Sequence, residues 1–338
     1  MRLFRQLSPR AIGYASAVIT VIIWTAFIVV SRASADPARS ATLGPFDIAL
    51  ARILAASAVL LPVGWWLARS DRARGVGEAS LFGFSPLSLP ITARIGLFAG
   101  VLYAPLAYTG FVFAPAGHAS VLLPGSLPLW TALMAAMVLG TRITPVRAVG
   151  LALIVAGDAL VGGRSLMHAF EGGQVWIGDL LFMAAAMVWA VYSVQVRKYA
   201  LEAVRATAAL TAFAFFTYVP VYGVLLLLHW VPGRFMDAPI GDIAFQMLFQ
   251  GLGSVVIAGV TFTRMIQYFG PVRTTMITAL VPGLSALGAV FLLGEPLYWN
   301  LAAGLALVTL GILFGVRSVP ATANVSMAPP VAASRHGA

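Results

Sequence analysis

The chain contains no cysteine, few histidines and few charged residues. Only 9% of its 338 residues are charged, and its four histidines are scattered along the sequence. The absence of cysteine excludes disulfides, thiol catalysis and cysteine-ligated metals. The sequence also lacks the HExxH, GxSxG and Walker patterns that mark common catalytic sites. We therefore expect neither an enzyme nor a bound metal or other cofactor.

Long apolar runs are what the sequence has instead. Hydrophobic residues make up 60% of the chain, and roughly 25% charged residues would be usual in a soluble domain. A helix that crosses a hydrocarbon core of ~30 Å needs about 20 mostly apolar residues. The sequence thus predicts an all-α integral membrane protein in a lipid bilayer. Its ten transmembrane helices are predicted at residues 12–31, 47–68, 93–113, 119–139, 145–162, 177–196, 206–229, 241–263, 274–293 and 299–316.

Basic residues are unevenly distributed between these runs. If the N-terminus is inside, only Arg32, Arg39, Arg164 and Arg234 fall on the outer side, and every other basic residue outside the runs falls on the inner side. By the positive-inside rule, this predicts a bacterial-type inner membrane protein with both termini cytoplasmic. The net charge of +10 then reflects orientation, and no nucleic-acid partner is expected. Residues 318–338 are small, polar and proline-bearing, which predicts a disordered cytoplasmic tail.

The sequence also repeats itself. Because five runs, an odd number, separate equivalent helices, the two copies must have opposite orientations. This predicts two inverted five-helix repeats, at residues 11–163 and 175–317, a plan common in secondary transporters. Residues 127–143 align with 281–297 and residues 148–157 with 302–311 without a gap, and Gly13, Trp24 and Arg32 have the spacing of Gly178, Trp189 and Arg197.

These features resemble a known family. Ten runs in two halves, a tryptophan in the first helix of each half, GDLLFMAAAMVWAVYSVQVRK from Gly178 and LLGEPL at the end of the ninth run are similar to the EamA type of the drug/metabolite transporter superfamily. The resemblance implies a carrier of small organic solutes, often amino acids or related metabolites that leave the cell. Thr141 stands where the acidic residue Glu295 stands in the second half, and the first helix has no carboxylate. Both departures argue against proton-driven export of cationic drugs.

Several functions remain open at this point. The favoured one is a secondary transporter that exports amino acids or related amphipathic solutes by alternating access, with a small-molecule substrate and a second copy of the chain in a homodimer as its candidate partners. The alternatives are efflux of cationic compounds, a channel, a membrane scaffold or a lipid-binding protein. A midplane site is predicted between the first, third, fourth, sixth, eighth and ninth helices. Its candidate cavity residues are Thr20, Trp24, Tyr108, His118, Trp189, Tyr192, Gln246, Gln250, Ser254 and Thr278.

Helical spacing selects most of these residues. Gln246, Gln250 and Ser254 are four apart on one face, where they either line a cavity or bond neighbouring helices. Trp24 and Trp189 lie at mid-span, so they form either an aromatic cavity wall or an interfacial belt.

Matched helix breaks and isolated charges complete the candidates. Prolines interrupt helical hydrogen bonding, so Pro124, Gly125 and Pro128 in the fourth helix and Pro282 and Gly283 in the ninth predict hinges or static kinks. Arg52 lies within the second run and either extends to the interface or binds an anionic group or Asp47. His118 is either a proton carrier or a polar helix start. Glu295, Asp158 and Asp179 are expected to be structural.

Overall fold

The computed structural model describes residues 9–36, 41–169, 171, 173–278 and 280–317. Within these ranges the chain is helical and contains no β-strand beyond one isolated bridge between Ser80 and Ser85. The predicted tail at residues 318–338 lies outside the described residues. The ten helices are α1 (Pro9–Ala35), α2 (Pro45–Ala73), α3 (Leu89–Phe113), α4 (Ala116–Leu139), α5 (Pro145–Ala169), α6 (Val175–Lys198), α7 (Ala203–Leu227), α8 (Ile240–Phe269), α9 (Pro271–Ile277 and Leu280–Leu293) and α10 (Trp299–Arg317).

The prediction of an all-helical, multi-pass membrane protein is confirmed. In the described residues, nine helices are long and apolar enough to cross a membrane, and α10 contributes a shorter apolar stretch, Trp299–Phe314. Proline and glycine explain several boundaries. Pro45 and Pro145 begin α2 and α5, where a missing N–H has no cost. Gly140 and Gly294 follow α4 and α9 with φ of 64° and 70°, a left-handed conformation that favours glycine.

The most extensive contacts join helices of the first half of the sequence to helices of the second half. Helix α1 packs against α8 and α9, whereas α6 packs against α3 and α4. Helix α2 packs against α7 and α8, and α7 packs against α3. The α5 and α10 helices form the most extensive pair, and α4 contacts both of them. The interior of the bundle therefore lies between helices from both halves of the sequence.

Glycines allow α5 and α10 to approach closely. A Cβ atom added at Gly157 would lie 2.6 Å from the carbonyl oxygen of Gly304, and one added at Gly311 would lie 2.4 Å from that of Gly150. Close backbone contact through small residues is a common way to pack membrane helices. Gly157 lies against Gly304 and Gly150 lies against Gly311, so the two helices run antiparallel.

Wide turns interrupt three of the helices. Residues Gly96–Leu102 of α3, Val121–Gly125 of α4 and Met247–Ile257 of α8 form π-helical turns. Such turns occur often at functional sites. In α9 the interruption separates Ile277 from Leu280. The non-α backbone thus lies in the third and fourth helices of both halves.

Candidate functional site

Two adjoining cavities lie in the middle of the bundle. We call the first the aromatic cavity and the second the arginine cavity. Open solvent included, the space between their wall atoms amounts to about 320 Å³ and 420 Å³. Trp189 lines both. The aromatic cavity is lined by Trp24, Phe27, Ile28, Tyr103, Leu123, Pro124, Leu127, Ala186, Trp189 and Val281. The arginine cavity is lined by Arg52, Ile53, Ala56, Ala99, Gly100, Trp189, Tyr192, Thr207, Leu210, Thr211, Ala214, Ser254, Val255 and Gly259.

Aromatic rings from four helices surround the boundary between the cavities. Trp24 of α1 stacks on Phe262 of α8 with ring centroids 4.7 Å apart and meets Trp189 of α6 edge-on at 5.9 Å. Tyr103 of α3 lies 4.7 Å from Trp189. Offset and edge-to-face pairs of this kind hold rings in fixed positions. Both tryptophans therefore lie inside the bundle rather than in a belt at its ends.

Arg52 is buried in the wall of the arginine cavity, with 6% of its surface exposed. Its Nη1 donates hydrogen bonds to the Tyr108 hydroxyl at 3.2 Å and the Ser254 hydroxyl at 3.4 Å. Its guanidinium lies 5.7 Å from the Tyr103 ring centre. Asp47 instead accepts a hydrogen bond from Tyr222. Arg52 thus neither extends to the interface nor pairs with Asp47.

The two glutamines of α8 connect helices rather than line either cavity. Gln250 donates from Nε2 to the Ser31 hydroxyl at 3.2 Å and accepts at Oε1 from the Tyr108 hydroxyl at 2.9 Å. Gln246 donates from Nε2 to the Ser34 hydroxyl at 2.8 Å. The hydrogen bonds to Ser31 and Ser34 join α8 to α1. Because Tyr108 donates to Gln250, its oxygen is oriented to accept from the arginine.

The candidate hydroxyl residues differ in position. Tyr192 lines the arginine cavity, and its hydroxyl forms a 2.7 Å hydrogen bond with that of Thr263. Thr20 of α1 bonds Thr261 of α8 at 2.8 Å and lines neither cavity. Thr278 donates to a carbonyl oxygen of the preceding turn. Tyr192 therefore lies at the candidate site, whereas Thr20 forms a hydrogen bond between helices and Thr278 forms one within its own helix.

His118 lies at the start of α4, outside both cavity linings. Its Nδ1 is 2.9 Å from a carboxylate oxygen of Asp179 on α6. The pair links two helices near a shallow surface pocket. Asp158 is buried in α5 and lines neither cavity, and neither of its carboxylate oxygens has a hydrogen-bond partner among the described residues.

Glu295 joins the end of α9 to the start of α4. Its carboxylate accepts hydrogen bonds from the backbone N–H groups of Ala116 and Gly117, both at 3.0 Å. It also forms an ion pair with Arg32 at 3.2 Å, and Arg32 donates to the carbonyl oxygen of Phe111. A carboxylate at a helix N-terminus satisfies unpaired N–H groups and complements the helix dipole. Glu295 therefore caps the N-terminus of α4.

The candidate breaks lie close to the aromatic cavity. Pro124 lies within the π-helical turn of α4 and lines this cavity, and Gly125 is buried beside it. Pro128 falls in the first turn of the segment that follows. In α9 the interruption precedes Pro282 and Gly283, which lie inside the second segment. Proline fits the first turn of a helix without losing a hydrogen bond, so the break falls before it.

Sequence reasoning missed two of the helices that line the site. Helices α2 and α7 contribute to the arginine cavity, the latter through Thr207 and Thr211 among others. These threonines are four residues apart, so the spacing that selected the polar stripe of α8 also marks them. Phe262, which stacks on Trp24, was not among the candidates either. No group of three or more acidic or histidine side chains in the described ranges is spaced to hold a metal ion.

Known proteins resemble this chain over most of its length. Residues 11–163 and 176–317 each match the model of the EamA-like transporter family. A probable terminal-alkyne amino-acid exporter of Streptantibioticus cattleyicolor is 28% identical over 288 residues, which cover 82% of this chain and 84% of the exporter. An uncharacterized transporter of Bacillus subtilis is 26% identical over 248 residues, or 69% of this chain and 75% of that protein.

A solved structure shares the fold. A crystal structure described only as that of a protein covers 90% of this chain and 96% of its own, with a TM-score of 0.58 and 23% sequence identity. At this identity the likeness concerns the arrangement of helices and not the solute.

Proposed function

Because the chain belongs to the EamA-like transporter family, we propose that it is a secondary transporter that exports small amphipathic metabolites, with amino acids and related solutes as the first class to test. The observation that carries this proposal is the pair of adjoining cavities, one walled by aromatic rings and one by hydroxyls and Arg52. The name of the Streptantibioticus relative is consistent with this solute class.

We further propose that the two halves are inverted repeats that move by alternating access. The packing supports this arrangement, because exchanging the halves converts α1 against α8 and α9 into α6 against α3 and α4. The glycine contacts between α5 and α10 exchange in the same way. Interrupted helices in corresponding positions of two repeats are typical of transport sites. In this proposal both termini are cytoplasmic and the protein lies in an inner membrane.

Efflux of cationic drugs is the weaker alternative. A cation needs a negative or acceptor-rich wall, and the described residues that line the two cavities include no carboxylate. Arg52 would repel a positive group placed in the arginine cavity. The site therefore suits solutes that are neutral, zwitterionic or anionic.

Flux through reconstituted protein tests the proposal. Purified protein in liposomes would be assayed by counterflow with a labelled panel of aromatic and aliphatic amino acids and related metabolites. We expect saturable flux of at least one solute. Trp189→Ala should reduce that flux, because it removes the wall common to both cavities, whereas the exposed Trp66→Ala should not. Absence of saturable flux for every solute would contradict the transporter assignment.

A further inference from the structure

Arg52 is a buried cation without a counter-ion. It forms no ion pair with any described carboxylate. Asp47, the acidic residue of the same helix nearest to it, already accepts hydrogen bonds from the Tyr222 hydroxyl and from the backbone N–H groups of Gly44 and Arg234. A cation within a membrane bundle is costly and usually marks a solute path or a ligand. The fold thus maintains a positive charge at the arginine cavity.

Most of the guanidinium is available to a ligand. A guanidinium presents five N–H donors, and the hydrogen bonds of Arg52 within the described chain all come from Nη1. Its Nε and Nη2 atoms form no hydrogen bond there, and the residue lines the cavity. Arginine recognises carboxylates through two parallel N–H···O bonds from such a free edge.

The neighbouring polar groups also favour an acceptor on the solute. The indole N–H of Trp189, which can only donate, is buried without a partner, and so is the Thr211 hydroxyl. Both residues line the arginine cavity. A carboxylate could accept from either group as well as from Arg52. An ammonium group would find only hydroxyl oxygens as acceptors.

The positive charge occupies one wall only. A Cβ atom added at Gly251 would lie 3.0 Å from the Arg52 carbonyl oxygen, and one added at Gly100 would lie 2.7 Å from that of Leu210. In the proposed repeat these two close approaches correspond, which makes Leu210 the counterpart of Arg52 in the lining of this cavity. The arginine cavity accordingly has one charged contact, Arg52, and its other lining residues are apolar, aromatic or hydroxyl-bearing.

We propose that Arg52 binds a carboxylate group of the transported solute, while the apolar part of the solute occupies the aromatic cavity. This inference rests on the proposed function and assigns its charge selectivity to one side chain. A solute without an anionic group loses the charge-assisted bonds and leaves the guanidinium unpaired. The transporter therefore discriminates against the amine and the amide of the same carbon skeleton.

The test compares 3-phenylpropionate, 3-phenylpropionamide and phenethylamine, together with aliphatic carboxylates of different length. Binding to purified wild-type protein would be measured by ligand-induced thermal stabilisation, which needs no transport. We expect carboxylates to stabilise the protein at concentrations at least about tenfold lower than the matched amide or amine, since hydrogen bonds to charged groups contribute roughly 1.5–3 kcal/mol. Equal stabilisation by the amide, or failure of every carboxylate to bind, would overturn the proposal.

Variants assign the effect to the residue. Arg52→Gln should weaken carboxylate binding at least about tenfold, Arg52→Lys should retain part of it, and Arg69→Gln should leave it unchanged. Arg69 lies on the exposed end of the same helix and contacts Trp65. Unchanged binding in Arg52→Gln would overturn the assignment. If that variant does not fold, the wild-type ligand series decides alone.

The two proposals fail in different ways. Carboxylate binding without saturable flux in liposomes would contradict the transporter function and leave the anion site intact. Saturable flux that prefers the amine would support transport and refute the role of Arg52.

Discussion

Helices α4 and α9 meet at two junctions, which occupy corresponding positions in the proposed repeat but differ in their bonding. At one junction, Ser120 of α4 and Ser285 of α9 are hydrogen bonded at 2.8 Å, close to the Glu295 cap. When the halves are aligned, Thr274 and Thr131 occupy these positions at the other junction. Both hydroxyls there are buried, and neither has a hydrogen-bond partner among the described residues.

The ionic contacts differ in the same direction. Arg32 pairs with Glu295 at the first junction. Arg197 and Thr141 occupy the corresponding positions at the second, and the described part of the chain gives the Arg197 side chain neither an ion pair nor a hydrogen bond. The first junction is therefore held by a hydrogen bond and an ion pair, and the second has neither. In the proposed alternating access, the bonded junction lies on the closed side of the carrier, and its bonds must break when that side opens.

The largest expected effect comes from removing the helix cap. Glu295→Ala leaves Arg32 and the N–H groups of Ala116 and Gly117 without their acceptor, and we expect a loss of about 2–3 kcal/mol of stability. Thermal unfolding of purified protein would measure this as a lower midpoint. The matched Thr141→Ala variant should lose much less. Equal losses in the two variants would show that the junctions do not differ as described.

A second comparison uses the α5–α10 pair, where the halves are alike. Gly157→Ala and Gly311→Ala each place a methyl group against a backbone carbonyl oxygen, and we expect each to lower stability by about 1–3 kcal/mol, as overpacking does. The two midpoints should fall by similar amounts. Gly163→Ala, with open space around the added atom, serves as the control. A large difference between the two principal variants would weaken the symmetry argument.

A third experiment introduces an ion pair at the second junction. Thr141→Glu supplies a carboxylate where the first half lacks one, and in the proposed repeat Arg197 corresponds to Arg32, the ion-pair partner of Glu295. If this junction must open during transport, the variant should slow saturable flux by about two- to tenfold, since a partly exposed ion pair contributes on the order of 1 kcal/mol. Initial rates of counterflow measure the effect. Thr141→Gln, of similar size without the charge, should behave as wild type, and equal slowing in both variants would point to bulk rather than charge.

The smallest effect concerns the hydroxyl pairs. Ser285→Ala removes a hydrogen bond between helices and should lower stability by about 0.6 kcal/mol. Thr274→Val removes a buried hydroxyl that has no partner, so it should leave stability unchanged or raise it. The thermal midpoint should thus fall in Ser285→Ala and stay the same or rise in Thr274→Val. A decrease of equal size in both would mean that Thr274 has a partner in the folded protein.

Sequence patterns located the helices because their signals are local. Apolar length and the prolines and glycines at helix ends are properties of neighbouring residues. The bounds predicted from them are approximate, since α2, α5 and α8 extend five to seven residues beyond the predicted ends. The mid-span tryptophans were candidates for a similar reason, since an interfacial belt explains an indole far from both ends of an apolar run less well than a cavity wall does.

The arrangement of polar side chains was less predictable. Gln246, Gln250 and Ser254 share one face of a regular helix, but the wide turns of residues Met247–Ile257 change the rotation between them. Two of the three therefore bond α1 while Ser254 faces the cavity. Residue type alone does not predict a π-helical turn. The environment of Arg52 depended on which helices surround it, and that information lies in distant parts of the chain.

Trp189 separates two spaces with a single ring, so the two volumes are not independent. Tryptophan side chains occupy a small set of discrete rotamers, and a change of rotamer at this indole would alter both spaces at once. The length of molecule that fits would then depend on which rotamer Trp189 adopts. A homologous series of increasing chain length should accordingly show a threshold in acceptance, rather than a gradual decline.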